Sequence, residues 1–140
     1  MDFKFTDDEN TAAELARKIL ADKVTPEWLK EFEASEASVA TELWQALADS
    51  SLLGVAIPEE YGGMDLGFTA LALVCQEVGR TVAPVPIYAS LVLGALPLAR
   101  FGSDSDKSEW LPRITSGEAI VTAALTEIDS SDPLSPRTRA

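Results

Sequence analysis

Few side chains in this sequence could carry acid, base or nucleophilic chemistry, and most lie around one glycine-rich stretch. Glu59 and Glu60 are adjacent carboxylates, the residue type of a general acid or base. Neighbouring loop positions point in different directions, so a structural or solvated role is favoured. Cys75 lies in an apolar run, which favours a small core residue over a nucleophile.

The composition excludes several other kinds of site. The sequence contains no histidine, which removes the commonest general base and metal ligand, and we predict no metal site. The 140 residues carry a net charge of −12, which disfavours nucleic acid as a partner. The single cysteine cannot form an internal disulfide, and the acidic N-terminus lacks the apolar segment of a secretory signal. We therefore predict a cytoplasmic protein.

The candidate residues must be positioned by helices, because apolar residues recur at helical spacing over most of the chain. Helices are predicted from Thr6 to about Ala21, from Thr25, from Ser38 to Gly54, and after Asp104 or Ser105 up to Pro112. Two more, Thr69–Thr81 and Ile87–Arg100, are apolar enough to be buried. Prolines interrupt the longest apolar stretch, so a core helix is favoured there over a membrane span.

The glycines after Pro58 predict a tight loop between two helices. Gly62 and Gly63 allow a turn or a close approach of two backbone segments. Their spacing differs from that of a phosphate-binding glycine loop, so an architectural role is favoured.

The pattern changes at Gly117. Residues Ala119–Thr126 read AIVTAALT, an apolar and β-branched run without helical period, which predicts a strand. No second strand is predicted to pair with it. The fold class predicted is therefore all-α, a bundle of five to six helices followed by one orphan β-strand of a truncated second domain. The domain boundary is placed between residues 1–117 and 118–140.

Four stretches, in a fixed order, carry a recognisable set of motifs. Met1–Asn10 reads MDFKFTDDEN, and Ile57–Arg80 contains PEEYGG followed by EVGR. Phe101–Gly117 reads FGSDSDKSEWLPRITSG, and Ala119–Ala140 contains an LTE element followed by Ser-Asp. Together they resemble the N-terminal helical domain and the first flavin-proximal strand of acyl-CoA dehydrogenases. The resemblance covers nearly the whole chain.

This resemblance implies a flavin site at the end of the predicted strand. By position, Leu125 and Thr126 match residues that contact the flavin ring of FAD, and Ser131 matches a serine near both the flavin and the thioester. Backbone N–H groups aimed at the ring stabilise charge on the reduced flavin. The resemblance also places an acyl pocket around Pro84–Leu93, with Tyr88, Leu91 and Val92 as candidate substrate contacts, although plain core packing is favoured for these three by their spacing.

The implied reaction is α,β-desaturation of an acyl-CoA thioester, with electrons passed to an electron-transfer flavoprotein or a similar acceptor. The resemblance places the catalytic glutamate in the C-terminal helical domain of such enzymes, so no catalytic residue is assigned here. We predict that the 140-residue chain alone is inactive. The resemblance further implies a homo- or hetero-oligomer.

The sequence departs from the family pattern in the loop after Thr126. Ile128 replaces proline, and Asp129-Ser130 replaces Gly-Ala-Gly with one residue fewer. A carboxylate beside a reduced, anionic flavin is unfavourable. Two alternatives therefore stay open: a non-catalytic partner subunit of a heteromeric acyl-CoA dehydrogenase, and a helical interaction module without enzymatic role.

Overall fold

The computed structural model describes residues 4–127, 132, 134, 135, 137 and 138, and confirms the all-α prediction. In this part of the chain the α-helices are α1 (Asp7–Lys23), α2 (Pro26–Glu33), α3 (Thr41–Asp49), α4 (Gly67–Thr81), α5 (Leu96–Phe101) and α6 (Asp104–Thr115). A π-helix, Tyr88–Ala95, runs directly into α5, and two short 3₁₀ turns, Leu52–Gly54 and Glu59–Tyr61, lie between α3 and α4. The core is formed mainly by Ala, Leu, Ile and Val from all of these elements except α2, α5 and the 3₁₀ turn Glu59–Tyr61.

The first helices begin where local capping chemistry predicts. The Thr6 hydroxyl accepts from the backbone N–H of Glu9, while the Glu9 carboxylate accepts from the N–H of Thr6, which completes the capping box. Thr25 caps α2 in the same way by accepting from Trp28. The Trp28 and Phe32 rings stack with centroids 5.5 Å apart, as their spacing predicts.

A buried ion pair joins α1 to α4, the helix pair with the most extensive contact. Glu77 is only 2% exposed, and its two carboxylate oxygens lie 2.8 Å from guanidinium nitrogens of Arg17 and Arg80. Hydrogen bonds from these arginines, Arg17 first, hold the pKa of Glu77 below its ordinary value, although burial acts in the opposite direction. Both arginines are about half exposed, so their own charges remain hydrated.

We expect the Glu77→Gln variant to lose about 1–2 kcal/mol of unfolding free energy at neutral pH, because charge-assisted hydrogen bonds are replaced by weaker ones. Since the folded-state pKa of Glu77 is depressed, its contribution is present above the ordinary value of 4.5 and disappears as the pH falls through the lower folded value. Urea unfolding from pH 3 to 7 measures this. The exposed Glu31→Gln variant on α2 is the control. Parallel stability–pH curves for wild type and Glu77→Gln would contradict the assignment.

The glycine loop before α4 is an architectural feature, and each of its two glycines is required for a different reason. Gly62 adopts a left-handed φ of 83°. Gly63 does not, but a Cβ atom there would overlap the Ile57 carbonyl and lie 2.8 Å from the Gly54 carbonyl oxygen. The loop is fixed against α6, where the Thr115 hydroxyl donates to the Tyr61 carbonyl at 3.3 Å.

Several helix boundaries differ from the sequence prediction: α3 ends at Asp49 rather than at Gly54, and α6 is capped by Ser103 rather than by Asp104 or Ser105. α3 begins at Thr41 rather than near Ser38, because Ala40 is buried and its N–H donates to the Pro84 carbonyl at 3.0 Å. The predicted stop at Pro112 is also wrong, since α6 continues through it to Thr115. Leu111 and Ile114 are fully buried on either side of this proline, and their burial offsets the backbone hydrogen bond that proline cannot make.

The predicted helix over Ile87–Arg100 exists, but most of it is π-helical. The N–H of Leu96 donates to the Leu91 carbonyl, one residue further back than in an α-helix. Pro97 is the next residue and has no N–H to donate. The π-helical hydrogen-bond pattern therefore ends at a position where an α-helix would lack a donor. π-Helical segments are rare and occur often at functional sites.

The chain after α6 lies across this π-helix. A Cβ atom at Gly94 would overlap the Val121 carbonyl, so the two backbones are in direct contact there. Residues 120–126 form neither helix nor a paired strand, and their backbone groups have no hydrogen-bond partner in the described part of the chain. The orphan strand thus has no partner among the described residues, and its β conformation and the domain boundary stay predictions.

Candidate functional site

The end of this unpaired segment presents the residues predicted to contact flavin. Leu125 is 56% exposed and Thr126 is also exposed. Their backbone N–H groups make no hydrogen bond with any described residue. Backbone N–H groups are the kind of donor that a flavin ring would require, and a flavin contact at these two residues stays a prediction. Ser131, the third predicted residue, lies outside the described residues.

Glu127, directly after this pair, makes contacts that the sequence did not reveal. Its carboxylate oxygens accept hydrogen bonds from the backbone N–H groups of Arg137, at 2.9 and 3.0 Å, and Thr138, at 2.6 Å. These bonds, together with one from the Thr138 side chain, lower the pKa of Glu127, with the Arg137 N–H as the largest cause.

The three predicted acyl-pocket residues do not share one environment. Tyr88 is 60% exposed, Val92 is half-buried against the core, and Leu91 is 2% exposed within the core. Only Tyr88 and Val92 therefore have side-chain surface available to a ligand. The Ser90 hydroxyl on the same π-helix is fully buried and has no hydrogen-bond partner among the described residues.

A cavity of about 380 Å³ lies where the π-helix, α5 and α6 meet residues 121 and 122. Its lining is mostly apolar and comprises Leu93, Gly94, Leu98, Asp106, Trp110, Val121 and Thr122. The sequence did not indicate this cavity, because its lining includes residues more than ten positions apart, which come together only where the segment after α6 crosses Gly94. Leu93 lies within the predicted pocket range, whereas Trp110 carried no sequence signal for a pocket.

The remaining candidate residues, Glu59, Glu60 and Cys75, lie in positions that agree with the structural or solvated role expected for them. Glu59 and Glu60 are exposed in a 3₁₀ turn. Cys75 is half-buried, and burial raises the pKa of its thiol, which disfavours a reactive thiolate. Within the described residues no group of side chains could hold a metal ion, and no helix there is long and apolar enough to cross a bilayer.

Residues 6–118 match the family model described as acyl-CoA dehydrogenase, N-terminal domain. The chain belongs to the acyl-CoA dehydrogenase family. It is 36% identical over 125 residues to the acyl-CoA dehydrogenase FadE27 of Mycobacterium tuberculosis, a match that covers 89% of this chain and 34% of that protein. The chain therefore spans about a third of the length of this relative.

Solved acyl-CoA dehydrogenases superpose on the chain over nearly its whole length. The Tcur3481-Tcur3483 steroid acyl-CoA dehydrogenase G363A variant gives a TM-score of 0.86 at 38% identity, covering 93% of this chain and 36% of that one. The ChsE4-ChsE5 complex from Mycobacterium tuberculosis gives 0.86 at 35%, with the same coverage. An acyl-CoA dehydrogenase of Bacillus anthracis complexed with FAD gives 0.79 at 30%, covering 91% and 22%.

Proposed function

We propose that this chain is the N-terminal part of a flavin-dependent acyl-CoA dehydrogenase that desaturates an acyl-CoA thioester between its α and β carbons. The observation that carries the proposal is the match of the helical domain to the family over residues 6–118. The exposed Leu125–Thr126 backbone lies next to this domain and makes no hydrogen bond with described residues. The relative complexed with FAD supports the choice of cofactor.

In this proposal the chain contributes binding and orientation, and no proton transfer. The N–H groups of Leu125 and Thr126 and the Thr126 hydroxyl would hold the flavin ring as hydrogen-bond donors. Bound FAD supplies the acceptor for the hydride that leaves the β carbon. The base that removes the α proton is expected outside these 140 residues. Reoxidation is assigned to an electron-transfer flavoprotein or similar acceptor, and the compartment is proposed to be the cytoplasm.

The acyl group is proposed to be bulky and apolar, with a steroid-like ring system as the leading class. The cavity beneath residues 121 and 122 offers about 380 Å³ and is walled by Trp110, Leu93 and Leu98. Tyr88 and Val92 lie on the same π-helix as Leu93, and neither is fully buried. A similar solved enzyme is named a steroid acyl-CoA dehydrogenase, which supports this substrate class.

A second candidate function is a non-catalytic partner subunit in a hetero-oligomer. Two similar solved structures are named as pairs of different chains, which favours a heteromeric assembly. The sequence Ile128-Asp129-Ser130 departs from the family's flavin loop and adds a carboxylate there.

Purification of the longer protein that carries this sequence, with its partner if one co-purifies, separates these functions. A catalytic subunit should contain about one FAD per chain and reduce an artificial acceptor with a CoA thioester whose acyl group is attached to steroid rings. A partner subunit should contain no flavin at its own site but be required for turnover by the other chain. A protein with neither flavin nor an effect on turnover would contradict both functions.

A further inference from the structure

Glu127 is placed to control the backbone on which the proposed flavin wall depends. Residues 120–126 make no backbone hydrogen bonds with described residues, and Val121 contacts Gly94 and packs against the core. Immediately after Thr126, the Glu127 carboxylate accepts three hydrogen bonds within 3.0 Å from the N–H groups of Arg137 and Thr138. These are the first described bonds that tie this end of the segment to another part of the chain.

The chemistry of this contact is specific to a carboxylate. Both oxygens accept, and both N–H donors belong to consecutive backbone positions, an arrangement that favours the charged form of the side chain. A glutamine presents only one acceptor oxygen, and its NH₂ group would face the N–H donors. No salt bridge involves Glu127 among the described residues; the nearby Glu118 pairs with Arg113 instead.

We propose that Glu127 is a positioning residue: its carboxylate clasps the backbone at Arg137 and Thr138 and thereby holds the N–H groups of Leu125 and Thr126 in place for the flavin ring. This inference rests on the proposed flavin site for its purpose, but the clasp itself is a property of this chain. Glu127 touches neither flavin nor substrate and acts through the backbone of its neighbours.

The clasp is tested in the ¹⁵N-labelled 140-residue chain by nuclear magnetic resonance. In the wild type, the Arg137 and Thr138 amide signals should titrate together, with a midpoint below the ordinary glutamate value of 4.5. In the Glu127→Gln variant this titration should vanish. At neutral pH the order parameter of the Thr126 amide should also fall, towards the value of about 0.6 or less that marks flexible backbone. Glu109→Gln, an exposed carboxylate on α6, is the matched control.

Unchanged Arg137 and Thr138 signals in Glu127→Gln, or an unchanged Thr126 order parameter, would overturn the clasp. The variant's folded state is verified by the dispersion of the core leucine methyl signals, because Glu127 contacts no core residue in the described structure. The Glu127→Asp variant keeps the negative charge on a shorter side chain. We therefore expect it to show part of the wild-type amide titration, whereas the glutamine variant should show none.

A second arm separates this inference from the proposed function. Excess FAD added to the wild-type chain should perturb the Leu125 and Thr126 amides weakly, and this perturbation should decline below the Glu127 midpoint and be smaller at every pH in Glu127→Gln. In the wild-type chain, the signals that report the clasp could titrate while the Leu125 and Thr126 amides show no response to FAD. That result would contradict the proposed flavin wall but not the contact made by Glu127.

Discussion

Replacing Gly63 with alanine is expected to lower the free energy of unfolding by about 3 kcal/mol, at the upper end of the usual cost of overpacking. The added Cβ atom would overlap the Ile57 carbonyl, and the Gly54 carbonyl oxygen closes the space behind it. Both neighbours are backbone groups, which cannot rotate away as a flexible side chain would. The loop cannot shift freely either, because the Gly63 N–H donates to the Pro58 carbonyl. Urea unfolding followed by tryptophan fluorescence measures the loss.

Gly79→Ala is the matched control for this prediction. Gly79 lies in α4 with nothing within 4 Å of the position its Cβ atom would occupy. The same methyl group should therefore stabilise the chain there by about 0.5–1 kcal/mol, since alanine loses less backbone entropy in a helix. Equal unfolding midpoints for the two variants would show that Gly63 is not held by the close backbone approach.

Replacing Gly94 with alanine is expected to displace the proposed flavin wall without unfolding the helices. A Cβ atom at Gly94 would overlap the Val121 carbonyl, and the segment that must move has no backbone hydrogen bonds to other described residues. In the longer protein, turnover should fall on the order of 10²-fold, because misplacing a binding wall by about an ångström has effects of that size. Assays with an artificial electron acceptor measure this.

Hydrogen exchange on the 140-residue chain provides the structural check on Gly94→Ala. Amides in α4 should keep their protection, while Ala119, whose N–H donates to the Arg113 carbonyl, should exchange faster than in the wild type. Gly79→Ala is again the control, since its open site lies on another helix. Loss of protection throughout α4 would show that Gly94 supports the whole bundle rather than the tail.

Local rules predicted the first two helices well. The Thr6 capping box, the Thr25 cap and the stacked Trp28–Phe32 pair depend only on residues three or four positions apart, and each is present. Apolar residues at helical spacing in α1 are not all buried: Ala12 and Ala16 are buried, but Leu15 is 37% exposed. Helical period alone does not define which edge of a stripe the neighbouring helix covers.

Features that depend on distant parts of the chain were not predictable in this way. α6 passes through Pro112 because Leu111 and Ile114 are buried against the rest of the bundle. Gly63 was expected to allow a turn or a close backbone approach, but the sequence did not indicate that the carbonyl which excludes a side chain there belongs to Ile57. The π-helix has no sequence period of its own that would separate it from a buried α-helix.

The candidate site also contains some residues that the sequence could predict and others that it could not. Leu125 and Thr126 were identified through the family resemblance, because nothing in their own residue types indicates a flavin contact. Helical spacing favoured core packing over a pocket contact for Leu91, and the structure places it in the core. Glu127 gave no signal, since its partners are backbone N–H groups, which carry no sequence identity.

The central claim, that these 140 residues provide one wall of a flavin site and not a complete enzyme, is tested most directly by titrating the purified chain with FAD in a calorimeter. One strand end with two backbone donors cannot offset the freedom that the ligand loses on binding, which costs several kcal/mol or more. We expect no stoichiometric binding at micromolar FAD, and a colourless protein. A yellow chain that binds one FAD per molecule would contradict the account.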